Sequence, residues 1–243
     1  MPSKPIIYAM IPARIGSGRL KMKNLALING KPLIYYAIHA AKESEVFDKI
    51  VINSDHEVFG KIAERYNVDF YLRPTALGTS ETKSDDVVVD FMREHSQANI
   101  VTWVNPTSPL QTGSEVSQVV NYFLFKKLDS LITVETKQVH TICGGKPVNY
   151  TQNEIFSQTQ DLTPINPFVY SVMMWRTSCF LQDFVENGHA MICGNFGVYP
   201  VSKMTAFIIK TAEDLKMVSL IMRMNYENLA EEKITYDELI KFI

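Results

Sequence analysis

The residues that could do chemistry are concentrated in a loop near the start of the chain. A run typical of a buried strand, residues 6–11, leads into a loop over residues 12–24 that combines small residues with cations. Gly16 and Gly18 allow close approach of the backbone, and successive N–H groups in such a loop can form a nest for an anion. Guanidinium and ammonium groups suit phosphate oxygens; the loop carries Arg14, Arg19, Lys21 and Lys23. The loop predicts a polyphosphate site, and a solvated basic turn is the alternative.

Composition excludes several other classes of protein. The loop contains neither the GxGxxG nor the GxxxxGK[ST] pattern, so a dinucleotide fold and a P-loop ATPase are not expected. The net charge of −2 over 243 residues argues against nucleic acid as a partner, because no excess basic field would drive counterion release. Without a cationic segment leading into an apolar run, or any 18-residue apolar stretch, neither export nor a membrane partner is expected.

The cysteines indicate a reducing environment. Cys143, Cys179 and Cys193 are too few and too scattered in sequence to predict a disulfide framework or a zinc site. We therefore expect a cytoplasmic protein.

Segments typical of strands and helices alternate through the first half of the chain. This alternation predicts an α/β fold with a mostly parallel sheet covered on both faces, whose ligands bind at the carboxyl ends of the strands. The predicted strands are 6–11, 49–53, 68–72, 100–104 and 130–134, and the predicted helices are 31–41, 57–66, 84–95 and 114–127. A polar excursion over about 135–170 follows, which we interpret as a dimer arm or a substrate flap. Strands at 171–175 and 205–209 and a helix from Ala212, with Thr211 as its N-cap, complete the pattern.

Polar motifs follow several of the predicted strands on one edge of the sheet. Asp55 follows the second strand, Arg73 the third and Asn105 the fourth. Such strand-end loops suit recognition of a base, a phosphate and a metal ion. Taken singly, Asp55 could be a helix N-cap and Arg73 a solvent-exposed strand end. Their joint occurrence on one edge favours a site.

The order and spacing of these motifs resemble the CMP-sialic acid synthetases and the related enzymes that activate 3-deoxy-octulosonate sugars. The resemblance covers about the first 135 residues closely and, with residues 211–215, most of the chain. The matching motifs are Ala13-Arg14-Ile15-Gly16-Ser17, Lys23-Asn24, Gly30-Lys31-Pro32-Leu33, Ser54-Asp55-His56-Glu57, Leu72-Arg73-Pro74 and Asn105-Pro106-Thr107-Ser108-Pro109-Leu110.

The resemblance implies a three-layer, nucleotide-diphospho-sugar transferase-like (Rossmann-like) fold, in a single domain over residues 1–243. It also implies a cytidylyltransferase, in which a sugar hydroxyl attacks the α-phosphate of CTP and pyrophosphate leaves, with Mg²⁺ bridging the phosphates. The implied nucleotide-binding residues are Ala13, Arg14, Gly16, Ser17, Lys23, Asn24, Arg73, Ser84 and Asn105. The implied catalytic residues are Arg14, Lys23 and Asp55, with Asp55 as the metal ligand, and Lys210 is a further catalytic candidate at a position that departs from the family.

Three departures from the family pattern change the expected chemistry. Asn105 stands where glutamine is usual, and Ile208 and Lys210 stand where two metal-binding carboxylates are usual. Lys210 could then itself neutralise phosphate charge, or Asp55 could hold the ion with water and the phosphates. No arginine lies between Arg93 and Arg176, where sialic acid enzymes carry one for the substrate carboxylate.

We therefore expect a homodimeric cytidylyltransferase that acts on CTP and a small acidic sugar-like acceptor other than ordinary sialic acid. A nucleotide-binding homologue without catalysis, and an enzyme for a phosphorylated or phosphonate acceptor, are the alternatives.

Overall fold

The computed structural model describes residues 4–153 and 155–224. The domain predicted over 1–243 therefore extends beyond the described residues at both ends. The strands are β1 (Ile7–Ala13), β2 (Leu27–Ile28), β3 (Lys31–Pro32), β4 (Lys49–Ser54), β5 (Asp69–Leu72), β6 (Ile100–Val104), β7 (Ser130–Val134), β8 (Ile142–Cys143), β9 (Lys146–Pro147), β10 (Phe168–Arg176) and β11 (Phe196–Pro200). The α-helices are α1 (Leu33–Glu43), α2 (Val58–Tyr66), α3 (Ser84–Glu94), α4 (Gly113–Phe125), α5 (Thr177–Asn187) and α6 (Ala212–Arg223).

One seven-stranded sheet forms the centre of the fold, in the order β11-β7-β10-β6-β1-β4-β5. β1 pairs in parallel with both β4 and β6, β4 pairs in parallel with β5, and β11 pairs in parallel with β7. β10 is antiparallel to both of its neighbours, β6 and β7. The prediction of a mostly parallel sheet is confirmed, and β10 is its exception.

Helices cover both faces of this sheet. Because side chains alternate along a strand, β1 sends Ala9 and Ile11 to one face and Tyr8 and Met10 to the other. The first face packs against α1 and α2, and also against α4, while the second packs against α3 and α5. The runs of buried residues in β1 and β7 follow from this double cover. The expected three-layer α/β architecture is therefore confirmed.

In the second half, one predicted strand is wrong and two elements were not predicted. Residues 205–209 form no strand: Thr205 and Ala206 lie in a turn, and Ile209 N donates a hydrogen bond to Thr107 O in the Asn105 loop. The segment's apolar side chains pack in a cluster with Ile28 and Val218 instead of joining a sheet edge. β11 is instead the outermost strand of the sheet, next to β7. Neither β11 nor α5 was predicted.

The start of the first helix also differs from its prediction. Lys31 and Pro32 belong to a short hairpin of β2 and β3, and α1 begins only at Leu33. Pro32 occupies the N-cap position, where its missing N–H is not needed.

The excursion has little regular structure. It contains the β8–β9 hairpin and a backbone bridge between Lys137 and Ile165. Several of its large apolar side chains are exposed, including Ile142, Ile155 and Phe156.

Candidate active site

A cavity of about 410 Å³ opens at the carboxyl edge of the sheet, a volume within the usual range for small-molecule sites. Pro12 of β1 and Asn105, directly after β6, form part of its wall, as expected for ligands of a parallel sheet. The segment between β5 and α3 closes another side. The full lining is Pro12, Arg14, Ser17, Gly18, Arg19, Lys23, Asn24, Arg73, Leu77, Thr79, Ser80, Thr82, Ser84, Val87, Trp103, Asn105, Pro106, Thr107 and Lys210.

Cations converge on this cavity from three parts of the chain, one of which is Arg73 after β5. Arg14, Arg19 and Lys23 come from the glycine-containing loop, and Lys210 comes from the segment before α6. Lys23 Nζ donates a hydrogen bond to Ile209 O at 3.1 Å, which joins that loop to that segment. None of the described residues that line the cavity carries a carboxylate to balance these cations.

The electrostatic cost of this arrangement is visible at Lys23. Burial, together with the neighbouring charges of Arg19 and Arg14, lowers the pKa of Lys23 from 10.5 to about 8. Asp214 raises this pKa, and Lys210 lowers it. A buried ammonium group among like charges would regain its proton affinity if an anion entered.

Arg14 bridges the cavity in the present structure. Its Nη1 donates to the carbonyl oxygen of Thr79 at 3.0 Å, which ties the glycine-containing loop to the segment between β5 and α3. That segment is folded by its own contacts, such as the hydrogen bond from Thr82 Oγ1 to Ala76 O. A ligand anion could therefore compete with one carbonyl for Arg14.

Asn105 shapes its own loop with its side chain. The amide oxygen accepts hydrogen bonds from Thr107 N at 3.0 Å and from Thr107 Oγ1 at 2.8 Å, while Nδ2 donates to Tyr170 O at 3.0 Å. Because the Asn105 amide already makes these hydrogen bonds within the protein, its main effect on a ligand would be to hold the loop in position.

Asp55 lies behind the glycine-containing loop. Its Oδ1 accepts a hydrogen bond from Ile15 N at 3.0 Å and lies 3.9 Å from Nη2 of Arg73. A side chain at Gly78 would overlap its carboxylate. Asp55 lines a neighbouring depression with His56 and Arg73, and it is not among the residues that line the main cavity. The carboxylate is thus placed to hold the loop.

Arg73 links this carboxylate to the cavity. It is buried, and its Nη1 donates to the carbonyl oxygen of Asn53 at 3.2 Å. Burial lowers its pKa, and Asp55 opposes that change. Arg73 therefore reaches the cavity from inside the protein, unlike the exposed strand end that its sequence position could have indicated.

Most of the residues expected from the sequence lie together. Those that line the cavity are Arg14, Ser17, Lys23, Asn24, Arg73, Ser84, Asn105 and Lys210. Ala13, Gly16 and Asp55 do not line it. Sequence reasoning missed Trp103 and Thr79. Trp103 precedes Asn105 by two positions, and the two-residue period of a strand could have predicted that both face the same side. Nothing in the sequence marked Thr79.

The lining does not fit a magnesium ion held by the protein. Mg²⁺ prefers oxygen ligands, chiefly carboxylates and phosphates. The described residues of the lining offer hydroxyl, amide and cationic groups but no carboxylate. The carboxylate that the sequence predicted as a metal ligand, that of Asp55, instead accepts a hydrogen bond from Ile15 N and lies 3.9 Å from Arg73 Nη2.

Comparisons with known proteins identify relatives of this chain. The sequence pattern of the cytidylyltransferase family matches residues 8–163. The N-acylneuraminate cytidylyltransferase of Escherichia coli O18:K1:H7 is 35% identical over 129 residues, 53% of this chain and 31% of that protein. The match therefore spans about a third of that relative's length. The post-translational flagellin modification protein B of Campylobacter coli is 25% identical over 234 residues, 89% of this chain and 95% of that protein.

A solved structure confirms the fold. A CMP:2-keto-3-deoxy-manno-octonic acid synthetase complexed with CTP superposes with a TM-score of 0.70 at 15% identity, covering 90% of this chain and 99% of that one. The expected nucleotidyltransferase-like fold is therefore correct.

Proposed function

Because this chain belongs to the cytidylyltransferase family, we propose that it transfers CMP from CTP to an acidic sugar or sugar-like acceptor. The observation that carries the proposal is the convergence of Arg14, Arg19, Lys23 and Lys210 on one cavity at the carboxyl edge of the sheet. A triphosphate supplies the negative charge that this arrangement lacks. The N–H groups at the start of α3, beside Ser84, add a further favourable field for an anion.

The proposed reaction is an in-line displacement. The acceptor's hydroxyl oxygen forms a bond to the α-phosphorus, the bond from that phosphorus to the oxygen bridging to the β-phosphate breaks, and pyrophosphate leaves with the electron pair. The hydroxyl proton passes to solvent. Arg14, Lys23 and Lys210 hold the phosphates and offset their growing charge, which is the main catalytic contribution in such transfers. Asp55 keeps the loop in place through Ile15 N.

Magnesium use stays a prediction. Since the cavity lining does not fit a protein-held ion, we propose that any Mg²⁺ arrives on the phosphates of CTP. We derive no catalytic step from it.

The acceptor is proposed to be an acid because two relatives bear the names of enzymes for acidic sugars, N-acylneuraminate and 2-keto-3-deoxy-manno-octonic acid. The interval from residue 94 to 175 contains no arginine. Lys137 and Lys203 line a depression of about 460 Å³ that also includes Ile208, two residues from Lys210. Lys137 Nζ is paired with Glu135 Oε2 at 2.9 Å in the same depression, so an acceptor carboxylate would compete with Glu135 for Lys137. We expect negligible turnover with N-acetylneuraminate, whose carboxylate would have no arginine partner in this interval. Robust formation of CMP-sialate would contradict this expectation.

Association and location are proposed as follows. Two copies pair through the excursion, and the enzyme works in the cytoplasm without nucleic acid. No helix in the described part of the chain is long and apolar enough to cross a membrane.

Thermal stabilisation by nucleotides tests the binding half of the proposal. A ligand at a hundredfold excess over its Kd stabilises the native state by about 2.7 kcal/mol. We expect CTP to raise the melting temperature more than ATP, GTP or UTP does. Arg14→Ala should abolish the CTP shift, whereas Lys21→Ala, a change in the same loop outside the cavity lining, should retain it. Equal shifts with all four nucleotides would exclude base selectivity.

Pyrophosphate release tests the chemical half. The lack of a carboxylate in the described cavity lining favours one rival, a protein that binds the nucleotide without catalysis. Release of pyrophosphate from CTP with one member of a panel of acidic sugars supports the transferase. Release only with phosphorylated or phosphonate acceptors would change the acceptor class, and CTP binding without release across the whole panel would support the rival.

A further inference from the structure

Two of the three cysteines, which are distant in sequence, meet beside an aspartate far from the nucleotide cavity. Cys179 and Asp183 lie one turn apart on α5 and so share a helix face. Cys193 lies in the segment that connects α5 to β11. The two sulfur atoms and one carboxylate oxygen all lie within 4.8 Å of one another. The separation of Cys179 and Cys193 in sequence did not predict that they lie this close together.

The backbone around Cys193 is held in place. Its N–H donates to Ser130 Oγ at 3.1 Å, and its carbonyl oxygen accepts from the same hydroxyl at 2.6 Å. Cys193 is 1% exposed. The backbone that carries the Cys193 sulfur is thus hydrogen-bonded to Ser130, the first residue of β7.

Gly194 leaves room for the second sulfur. This glycine has a φ of +55°, and a Cβ there would lie 2.8 Å from Cys179 Sγ and 2.6 Å from Asp129 Oδ2. A larger residue would push Cys179 away from Cys193. The close approach of the group therefore depends on a glycine that is also required by the backbone conformation.

The chemistry of these groups fits a thiophilic divalent cation. Zn²⁺ binds thiolate sulfur at about 2.3 Å and carboxylate oxygen at about 2.0–2.2 Å in tetrahedral geometry, so its ligands lie somewhat less than 4 Å apart. Small side-chain rotations would bring atoms within 4.8 Å to that separation. Mg²⁺ and Ca²⁺ prefer oxygen ligands and would not select this set.

We propose that Cys179, Asp183 and Cys193 bind a thiophilic divalent cation, of which Zn²⁺ fits best, with water as the fourth ligand. Binding replaces two S–H bonds by two metal–sulfur bonds, and two protons leave to solvent. Asp129 lies beside the group but is already engaged, because its Oδ2 accepts from Asn195 N at 2.9 Å and its Oδ1 lies 3.5 Å from Arg176 Nε.

The site would be structural. Ser130 begins β7 and Arg176 ends β10, and these residues lie at the edge of the sheet opposite Asn105 and the nucleotide cavity. A metal here would join α5 to the segment before β11 and would not touch the reacting groups. The proposal is independent of the proposed transferase activity.

Cobalt binding to the full chain tests the site. The protein is stripped of metal, kept reduced with a phosphine, and titrated with Co²⁺ in the absence of nucleotide. We expect one Co²⁺ per chain, with a sulfur-to-cobalt charge-transfer band and the intense visible bands of tetrahedral coordination, both lost when Zn²⁺ is added. Zn²⁺ should also raise the melting temperature, and Mg²⁺ should not.

Matched variants make the result specific. Cys179→Ser should abolish the charge-transfer band. Asp183→Asn should weaken Co²⁺ binding by at least about 10-fold, because loss of even an outer-shell partner of a metal ligand costs about 10- to 100-fold. Cys143→Ser, at an exposed cysteine outside the group, should behave like the unaltered protein. Both α5 positions are partly exposed, so these variants are expected to fold. Absence of the band in the unaltered protein, or its persistence in Cys179→Ser, would overturn the proposal.

Discussion

At the scale of single residues, the candidate site is a set of like charges held close together before any ligand arrives. Lys23 is the clearest case, because burial and the nearby Arg19 and Arg14 lower its pKa to about 8. The unfolded chain holds this proton more tightly than the native state does. Lys23, which is proposed to bind the phosphates, therefore destabilises the free protein, as is common at functional sites.

Replacing Lys23 should separate these two effects. Lys23→Met should raise the free energy of unfolding of the free protein at pH 7, because it removes a buried cation, and should weaken CTP binding. The sign of the pH dependence follows from the lowered pKa: between about pH 8 and 10.5 the unfolded state binds more protons, so the unaltered protein gains stability as the pH rises. The advantage of Lys23→Met should shrink over that window.

Denaturant titrations at several pH values and calorimetric CTP titrations measure both effects. Lys23→Arg, which stays charged, is the control and should retain CTP binding above pH 8. A free-protein stability that falls in Lys23→Met at pH 7 would contradict the assignment of Lys23 as a strained cation.

Lys210 occupies a position at which the related enzymes are expected to carry a metal-binding carboxylate. It lines the cavity and its charge lowers the pKa of Lys23, so its ammonium group lies within electrostatic reach of the ligand position. We expect Lys210→Ala to weaken CTP binding and Lys210→Asp to increase the dependence of turnover on Mg²⁺. Calorimetry and rates measured across Mg²⁺ concentrations check both. Unchanged affinity and metal dependence in the two variants would show that Lys210 takes no part.

At the scale of elements, the sequence predicted what depends on local patterns. The alternation up to β7 was recovered with small errors at the ends, because each buried strand and amphipathic helix carries its own periodicity. β10 was placed correctly, but its antiparallel direction was not predicted, since direction depends on where the chain re-enters the sheet after the excursion. Residues 205–209 have the composition of a strand, yet β11 already occupies the edge beside β7.

The same division holds for the site. The cations of the glycine-containing loop were predictable because they are neighbours in sequence. The contact of Arg14 with Thr79, and the meeting of Cys179 with Cys193, join residues on different elements and could not be predicted from spacing. Asp55 was named from its position after β4, but it does not line the cavity, and its contact with Ile15 N depends on packing that spacing does not reveal.

The start of α6 connects an element's stability to the site. Thr211 accepts a hydrogen bond from Asp214 N, and Asp214 Oδ2 accepts from the N–H groups of Thr211 and Lys210, each at 2.8 Å. The predicted N-cap is thus confirmed as a capping box that also fixes the backbone of Lys210.

We expect Thr211→Ala to lower the free energy of unfolding by about 1 kcal/mol, the usual effect of losing an N-cap. CTP binding should weaken less than in Lys210→Ala, because Asp214 still accepts from Lys210 N. Thr211→Ser, which keeps the hydroxyl, is the control. Urea unfolding measures the first effect and calorimetry the second; an unchanged midpoint in Thr211→Ala would show that the cap contributes nothing.

At the scale of the whole molecule, different chemical groups lie at the two ends of the sheet's strands. The carboxyl edge of the parallel strands holds the cationic cavity, and the opposite edge holds the cysteine pair. The excursion leaves from the carboxyl edge, directly after β7. Glu135 and Lys137 at its start line the depression that includes Ile208, so the excursion's position is coupled to the proposed acceptor region.

The apolar surface of this excursion leads to the last prediction, on association. Ile155 is 95% exposed and Phe156 is 72% exposed, within a stretch that also exposes Ile142. Burying such groups against a second copy would remove them from water at about 25 cal/mol per Å². We expect the protein to be a dimer in sedimentation equilibrium, and Ile155→Asp to shift it to monomer by placing a charge in the interface. Phe125→Asp, at an apolar residue 79% exposed on α4, should leave the dimer intact. A dimer that survives Ile155→Asp but dissociates in Phe125→Asp would place the interface on α4 and exclude the excursion.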